Sequence, residues 1–159
     1  MKKFMYLTLA ALPVLAVTAC SDDDDTPDVD ISVNYENGVQ VEDTVYAVMG
    51  DTLKITGIEV KAKRPGKKAT GGIVTYNLNG VTYFVSAVAP YPCYIPTSDF
   101  VAGRYVLGML MPIFEVDCTP ATAYMEMPLK FVENADQIPS TSTPGTNGRV
   151  TLHPDVHEN

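Results

Sequence analysis

Ile73-Val74-Thr75-Tyr76-Asn77-Leu78-Asn79-Gly80-Val81-Thr82-Tyr83-Phe84-Val85 reads as two β-strands around a two-residue turn. Asn-Gly supplies the positive φ angles of a type I′ turn, and the flanks are rich in β-branched and aromatic residues. The segment predicts a tight antiparallel hairpin. Toward the N-terminus, Ile31–Val33, Val39–Val41 and Val45–Ala47 have the same character. Thr52 to Lys61 follows, with Leu53 and Ile55 in one phase and Ile58 and Val60 in the other, so a β-bulge is expected at Gly57.

Beyond the hairpin, Pro90, Pro92 and Pro96 predict a sheet-free or edge passage. Arg104 to Met111 then alternates, placing Tyr105, Leu107, Met109 and Met111 on one face. A last strand from Tyr124 to Val132 aligns Met125, Met127, Leu129 and Phe131, with Pro128 suited only to an edge or a bulge. Residues 112–122 are expected to form the long loop between these two strands. No stretch has a long helical period, so the chain is read as all-β. Seven or so short strands over residues 30–135 predict a single antiparallel β-sandwich. Pro139-Ser140-Thr141-Ser142-Thr143-Pro144-Gly145 marks residues 136–159 as a flexible polar tail, in which Val150–Leu152 is the one stretch able to add an edge strand.

Thr97-Ser98-Asp99-Phe100-Val101-Ala102-Gly103-Arg104-Tyr105-Val106-Leu107 resembles the approach to strand F of immunoglobulin-like and PKD-like domains. The resemblance implies that Tyr105 is the corner tyrosine, its hydroxyl bonding to the backbone just upstream. The hairpin around Asn79-Gly80 is similar to strand C and its turn. Leu107 stands where antibody-type domains carry their second core Cys, and the chain has no Trp, so Val74 or Tyr76 must fill the space of the strand C tryptophan.

The N-terminus carries an address. Met1-Lys2-Lys3, an apolar run from Phe4 to Val17 and Thr18-Ala19 form a signal peptide over residues 1–19. The run is shorter than the roughly 20 residues that span a bilayer. Leu15-Ala16-Val17-Thr18-Ala19-Cys20 resembles the bacterial lipobox, which implies cleavage before Cys20 and lipidation of that residue by palmitate-type chains. Ser21-Asp22-Asp23-Asp24-Asp25, within a tether over residues 20–29, resembles the surface-export signal of Bacteroides-type lipoproteins. That resemblance implies the outer face of the outer membrane, with the lipid anchor as the membrane partner. A solvated acidic spacer is the simpler reading of the same run.

Cleavage leaves 140 residues with 9 basic and 19 acidic side chains, enough for one domain. Four of the acids belong to the tether, so the domain is only mildly acidic, which argues against a nucleic-acid partner. Cys93 and Cys118 remain as an even pair in an exported setting. They are candidates for one disulfide, worth roughly 3 kcal/mol for a loop of about 26 residues. Two separate buried thiols are the alternative.

No catalytic constellation, cofactor motif or metal-ligand spacing stands out. His153 and His157 lie four apart, but Pro154 sits between them. Asp99, Glu115 and Asp117 read as solvated loop acids rather than a glycosidase pair. Lys61, Lys63, Arg64, Lys67 and Lys68 surround Pro65-Gly66 and are the candidate anion-binding loop, for acidic glycans or lipid phosphates. A charged hairpin that blocks edge aggregation is the plainer account of them. Tyr91 and Tyr94 are candidate exposed rings. Thr44 and Thr52, each in an Asp-Thr-apolar triplet, resemble O-glycosylation acceptors of Bacteroides-type bacteria. The expected function is a non-catalytic surface lipoprotein, a ligand-binding or accessory module for an extracellular glycan or protein. The alternatives are an interaction subunit that docks through a sheet edge, marked by an exposed apolar edge, and a small enzyme, marked by a deep pocket with converging polar groups.

Overall fold

The computed structural model describes residues 26–140 and 147–158. The signal segment, Cys20 and Ser21–Asp25 lie outside them. In chain order the strands are β1 (Val29–Glu36), β2 (Val39–Val41), β3 (Thr44–Val48), β4 (Thr52–Ala62), β5 (Ala69–Gly71) and β6 (Val74–Leu78). They continue as β7 (Val81–Ser86), β8 (Cys93–Pro96), β9 (Gly103–Glu115), β10 (Ala121–Val132), β11 (Asn147–Leu152) and β12 (Asp155–Glu158). Short 3₁₀ turns occupy Thr97–Asp99 and Ala135–Gln137.

The strands form two sheets. One has the order β11-β1-β4-β8 and the other β2-β3-β10-β9-β6-β7, with β12 on β10 and β5 on β9. Every pairing is antiparallel except β3 with β10. In immunoglobulin lettering β1, β4 and β8 take the places of A, B and E, while β6, β7, β9 and β10 take those of C, C′, F and G. The chain is therefore an all-β, immunoglobulin-like sandwich. It carries twelve strands among the described residues rather than about seven, the extra ones being short additions to this frame.

The alternation that predicts the strands also builds the core. Ile31 and Val33 of β1, Leu53 and Ile55 of β4 and Ile95 of β8 are fully buried, as are Leu107, Met109, Met111, Met127 and Leu129 of the facing sheet. Tyr76 of β6 has no exposed surface and fills the place of the missing tryptophan. The hairpin turn has Asn79 at φ 49 and Gly80 at φ 80, as a type I′ turn requires. Asn34 pairs with Gly57 and Tyr35 with Ile55, so Thr56 is the extra residue of the expected bulge. The Tyr105 hydroxyl donates to the Val101 carbonyl at 2.9 Å, the corner bond that the resemblance implies.

Three expectations change. The loop between the last long strands is 116–120, not 112–122, because Ile113 and Glu115 continue the buried phase of β9 and Pro112 points outward, its carbonyl accepting the Gly72 N–H at 2.8 Å. Pro128 lies inside a sheet. It is tolerated because β12 pairs with Ala121–Tyr124 and β3 with Leu129–Val132, leaving the β10 backbone at Pro128 without a ladder partner on that side. The tail expected over residues 136–159 becomes β11 and β12 from Asn147 onward. β11 pairs with β1 from Ile31↔Leu152 to Glu36↔Asn147, and Val150 closes the end of the core. The polar residues between these apolar ones face outward, so short amphipathic strands read as polar tail.

Candidate functional site: a partly paired basic loop and an uncharged sheet edge

The basic cluster sits at the end of the sandwich where β1 begins and β4 ends. Lys63 Nζ lies 3.2 Å from Asp28 and 3.7 Å from Asp30, and the Asp28 hydrogen bond raises its pKa. Lys67 Nζ is 2.6 Å from Asp117, which raises the Lys67 pKa in the same way. Arg64 donates to the Thr26 carbonyl at 2.8 Å and to the Cys118 sulfur at 3.1 Å. Three of the five cations are thus engaged within the domain. Lys61 and Lys68 are exposed at the rim of an open cleft of about 530 Å³ lined by Val60–Thr70. The loop exists as read, but the charges of Lys63 and Lys67 are met locally by Asp28, Asp30 and Asp117.

The expected disulfide between Cys93 and Cys118 does not form. Cys93 stands beside Ile55, whereas the Cys118 contact Arg64 lies beyond the far end of β4. That separation along the strand is about 25 Å, against the roughly 7 Å limit between bridged Cα atoms. Burial in the core pushes the Cys93 thiol up to about 12. Glu115 is buried rather than solvated, and its Oε2 accepts the Asp28 N–H at 2.9 Å. Asp99 lies in the 3₁₀ turn before β9, at the opposite end of that strand, so the three acids do not converge.

The remaining sites separate in the same manner. Tyr91 is structural, donating to the Gly71 carbonyl at 2.7 Å, while Tyr94 exposes 58% of its surface. Thr44 and Thr52 begin β3 and β4 and are half-buried, and the Thr44 hydroxyl donates to Asp43 at 2.9 Å. His153 Nδ1 is 3.4 Å from Asp30, whereas His157 pairs across the sheet with Thr122. Among the described residues no three His, Cys, Asp or Glu side chains are placed to hold a metal ion. A cleft of about 450 Å³ beside the β2–β3 turn is lined by Glu42 and Asp43 as well as Arg104 and Lys130, so its charge is mixed.

One surface was not anticipated. Between Lys68 and Asp99 the chain contains no charged residue and no histidine. This stretch supplies β5 to β8, and it forms one whole side of the sandwich. Val81 is 70% exposed, Phe84 47%, Val85 51% and Val88 74%. The strands that end the two sheets differ in how they are protected. β8 has four residues with Pro92 and Pro96 at its ends, and β2 has only three residues. β11 carries Arg149, paired with Glu59 at 2.7 Å. β7 has six residues, no charge and no proline. Natural edges are normally guarded by charge, proline, brevity or a bulge, and β7 has only a bulge, where Tyr76 pairs with Phe84 and Asn77 with Thr82 and Tyr83 is the extra residue. The signal was present in the sequence as a missing property, the long gap in charge, which a search for motifs passes over.

Fold and surfaces together describe a small immunoglobulin-like module with an apolar edge. No protein-family model and no curated protein matches the chain. Among solved structures it is similar to the fibronectin(III)-like modules of Clostridium thermocellum CbhA, at 19% identity and a TM-score of 0.33, over 59% of this chain and 90% of that one. So loose a superposition adds nothing to the fold assignment, which rests on strand order, register and the corner tyrosine.

Proposed function

We propose that this chain is a lipid-anchored, non-catalytic accessory module at the bacterial cell surface that holds a protein partner through the edge of β7. The observation that carries the reading is the exposed, uncharged strand Val81–Ser86. Backbone N–H and C=O groups at such an edge supply main-chain bonding to an added strand, while Val81, Phe84 and Val85 supply apolar contact. Capture of an acidic glycan by the basic loop is the weaker reading, because Lys63, Arg64 and Lys67 already have partners inside the domain. The anchor at Cys20 and export through Asp22–Asp25 rest on the N-terminal sequence.

The test is native electrophoresis of membranes solubilised in mild detergent. The wild-type chain is expected to migrate in a larger assembly, and Thr82→Lys with Val85→Lys is expected to return it to the position of the free chain. Migration of the wild type as a free chain would refute edge docking. An assembly lost on replacing Lys61 and Lys68 by Ser, yet kept with the β7 lysines, would transfer the role to the basic loop.

A further inference from the structure

A sheet with one face in water alternates apolar residues inward with polar ones outward, and β9 departs from that rule. Leu107, Met109, Met111, Ile113 and Glu115 are buried, and the residues between them are Gly108, Leu110, Pro112 and Phe114. Val116 continues the outward phase. No charge stands on this side of the strand from Val106 to Val116. Exposure rises along it, from 37% at Val106 and 38% at Leu110 to 47% at Phe114 and 54% at Val116. An apolar strip that opens toward one end calls for a cover there.

The same end is where the tether joins the domain. Glu115, set between Phe114 and Val116, accepts the Asp28 N–H at 2.9 Å. The Lys63 N–H donates to the Asp28 carbonyl at 2.9 Å, and Arg64 holds the Thr26 carbonyl at 2.8 Å. Residues 26–28 are thus fastened beside the exposed pair. From Thr26 to Cys20 is six residue steps, a maximal reach of about 20 Å. The other end of β9, at Gly103, is about 36 Å from Phe114. A lipid on Cys20 therefore keeps a bilayer close to the Phe114 end, and no bond of this kind ties it to the far end.

On the reading that Cys20 carries a lipid, we infer that Phe114 and Val116, with Lys68 beside them, rest in the headgroup region of the membrane that holds the anchor. Lys68 is exposed, and its carbonyl accepts the Val116 N–H at 3.2 Å. A lysine in that position lays its stem along apolar surface while its ammonium meets phosphate. The four tether aspartates oppose an anionic surface, so the apolar side chains rather than charge carry the contact. The contact fixes an orientation. The Asn79-Gly80 turn, bonded to Val106 toward the other end of β9, faces away from the membrane.

The test is photo-crosslinking of the full chain in its own membranes, with benzoylphenylalanine placed at Phe114 or Val116 and, as a control, at the exposed Val101. The expected product carries the mass of one membrane lipid on the peptide that contains the probe, from Phe114 and Val116 and not from Val101. With the probe at Val116, Phe114→Asp is expected to reduce that product about fivefold or more and Phe114→Leu to retain it. An undiminished product from the Phe114→Asp chain, or an equal one from Val101, would mean that tethering alone brings lipid to the domain and would overturn the contact. Protein adducts in place of lipid at Phe114 and Val116 would overturn it in favour of a docked protein. No adduct from a chain that sediments with membranes would overturn the contact and leave the anchor standing, whereas a chain that stays soluble would overturn both.

Discussion

Replacing Tyr76 by Phe is the sharpest test of how the core is closed. Tyr76 has no exposed surface, and its hydroxyl donates to the Tyr91 carbonyl at 2.5 Å. Tyr91 is held at φ 66, and its own hydroxyl reaches Gly71, so this bond ties the connection before β8 to the sheet that contains β6. Phenylalanine keeps the ring and removes only the donor, leaving a poorly hydrated carbonyl unpaired at a cost of about 1–2 kcal/mol. For a chain of this length that is a fall in Tm of about 3–8 °C. Tyr76→Ala removes the ring as well, for about 3–5 kcal/mol. Urea unfolding followed by circular dichroism gives both values, the signal being chosen because the chain has no tryptophan. A midpoint for Tyr76→Phe indistinguishable from wild type would refute the bond. A loss below about 1 kcal/mol for Tyr76→Ala would refute the placement of Tyr76 at the centre of the core.

Five further outcomes are expected. Folding holds the Cys93 thiol neutral up to about 12, whereas the unfolded chain ionises at its ordinary value of 9.0. Stability from this group is therefore complete below pH 9 and declines between pH 9 and 12 by about 1.4 kcal/mol per pH unit, and Cys93→Ala should flatten that part of the stability curve relative to wild type. Maleimide labelling without reductant should modify Cys118 but not Cys93 in the folded protein and both after denaturation, where a disulfide would leave both unlabelled. Truncation after Pro139 removes β11 and β12 and uncovers the edge of β1, so it should cost about 3 kcal/mol or more, against under about 0.5 for loss of an unstructured tail. Cys20→Ser should move the protein from the membrane to the soluble fraction, and Asp22–Asp25 to Ala should protect it from protease added to intact cells.

Much of the sandwich was legible because its signals are local. Asn79-Gly80 determines a turn, the phase change around Gly57 determines a bulge, and the spacing of Leu107, Met109 and Met111 determines a face. Pro112 and Pro128 are compatible with long strands because each lies where β9 or β10 has no ladder pair on one side, which the sequence around either proline does not show. The C-terminal strands were hidden for a different reason. Asn147–Leu152 has little intrinsic strand character and is ordered by β1, a partner more than a hundred residues away in sequence. The basic cluster was legible as composition, but the pairing of Lys63 and Lys67 depends on two other segments, the start of β1 with Asp28 and Asp30 and the β9–β10 loop with Asp117. The β7 edge went unread because nothing in Val81–Ser86 shows which of its sides the fold leaves open.

Backbone hydrogen exchange at Val81–Ser86 of the membrane-bound full chain tests the edge most directly, with β11 as an internal reference. An occupied edge predicts that the outward N–H groups of β7 exchange about tenfold or more slowly in the membrane than after dispersal and dilution in detergent, while those of Asn147–Leu152 keep one rate in both. Equal rates for β7 in the two states would contradict a docking edge and return the search for function to the clefts beside Lys61 and Arg104.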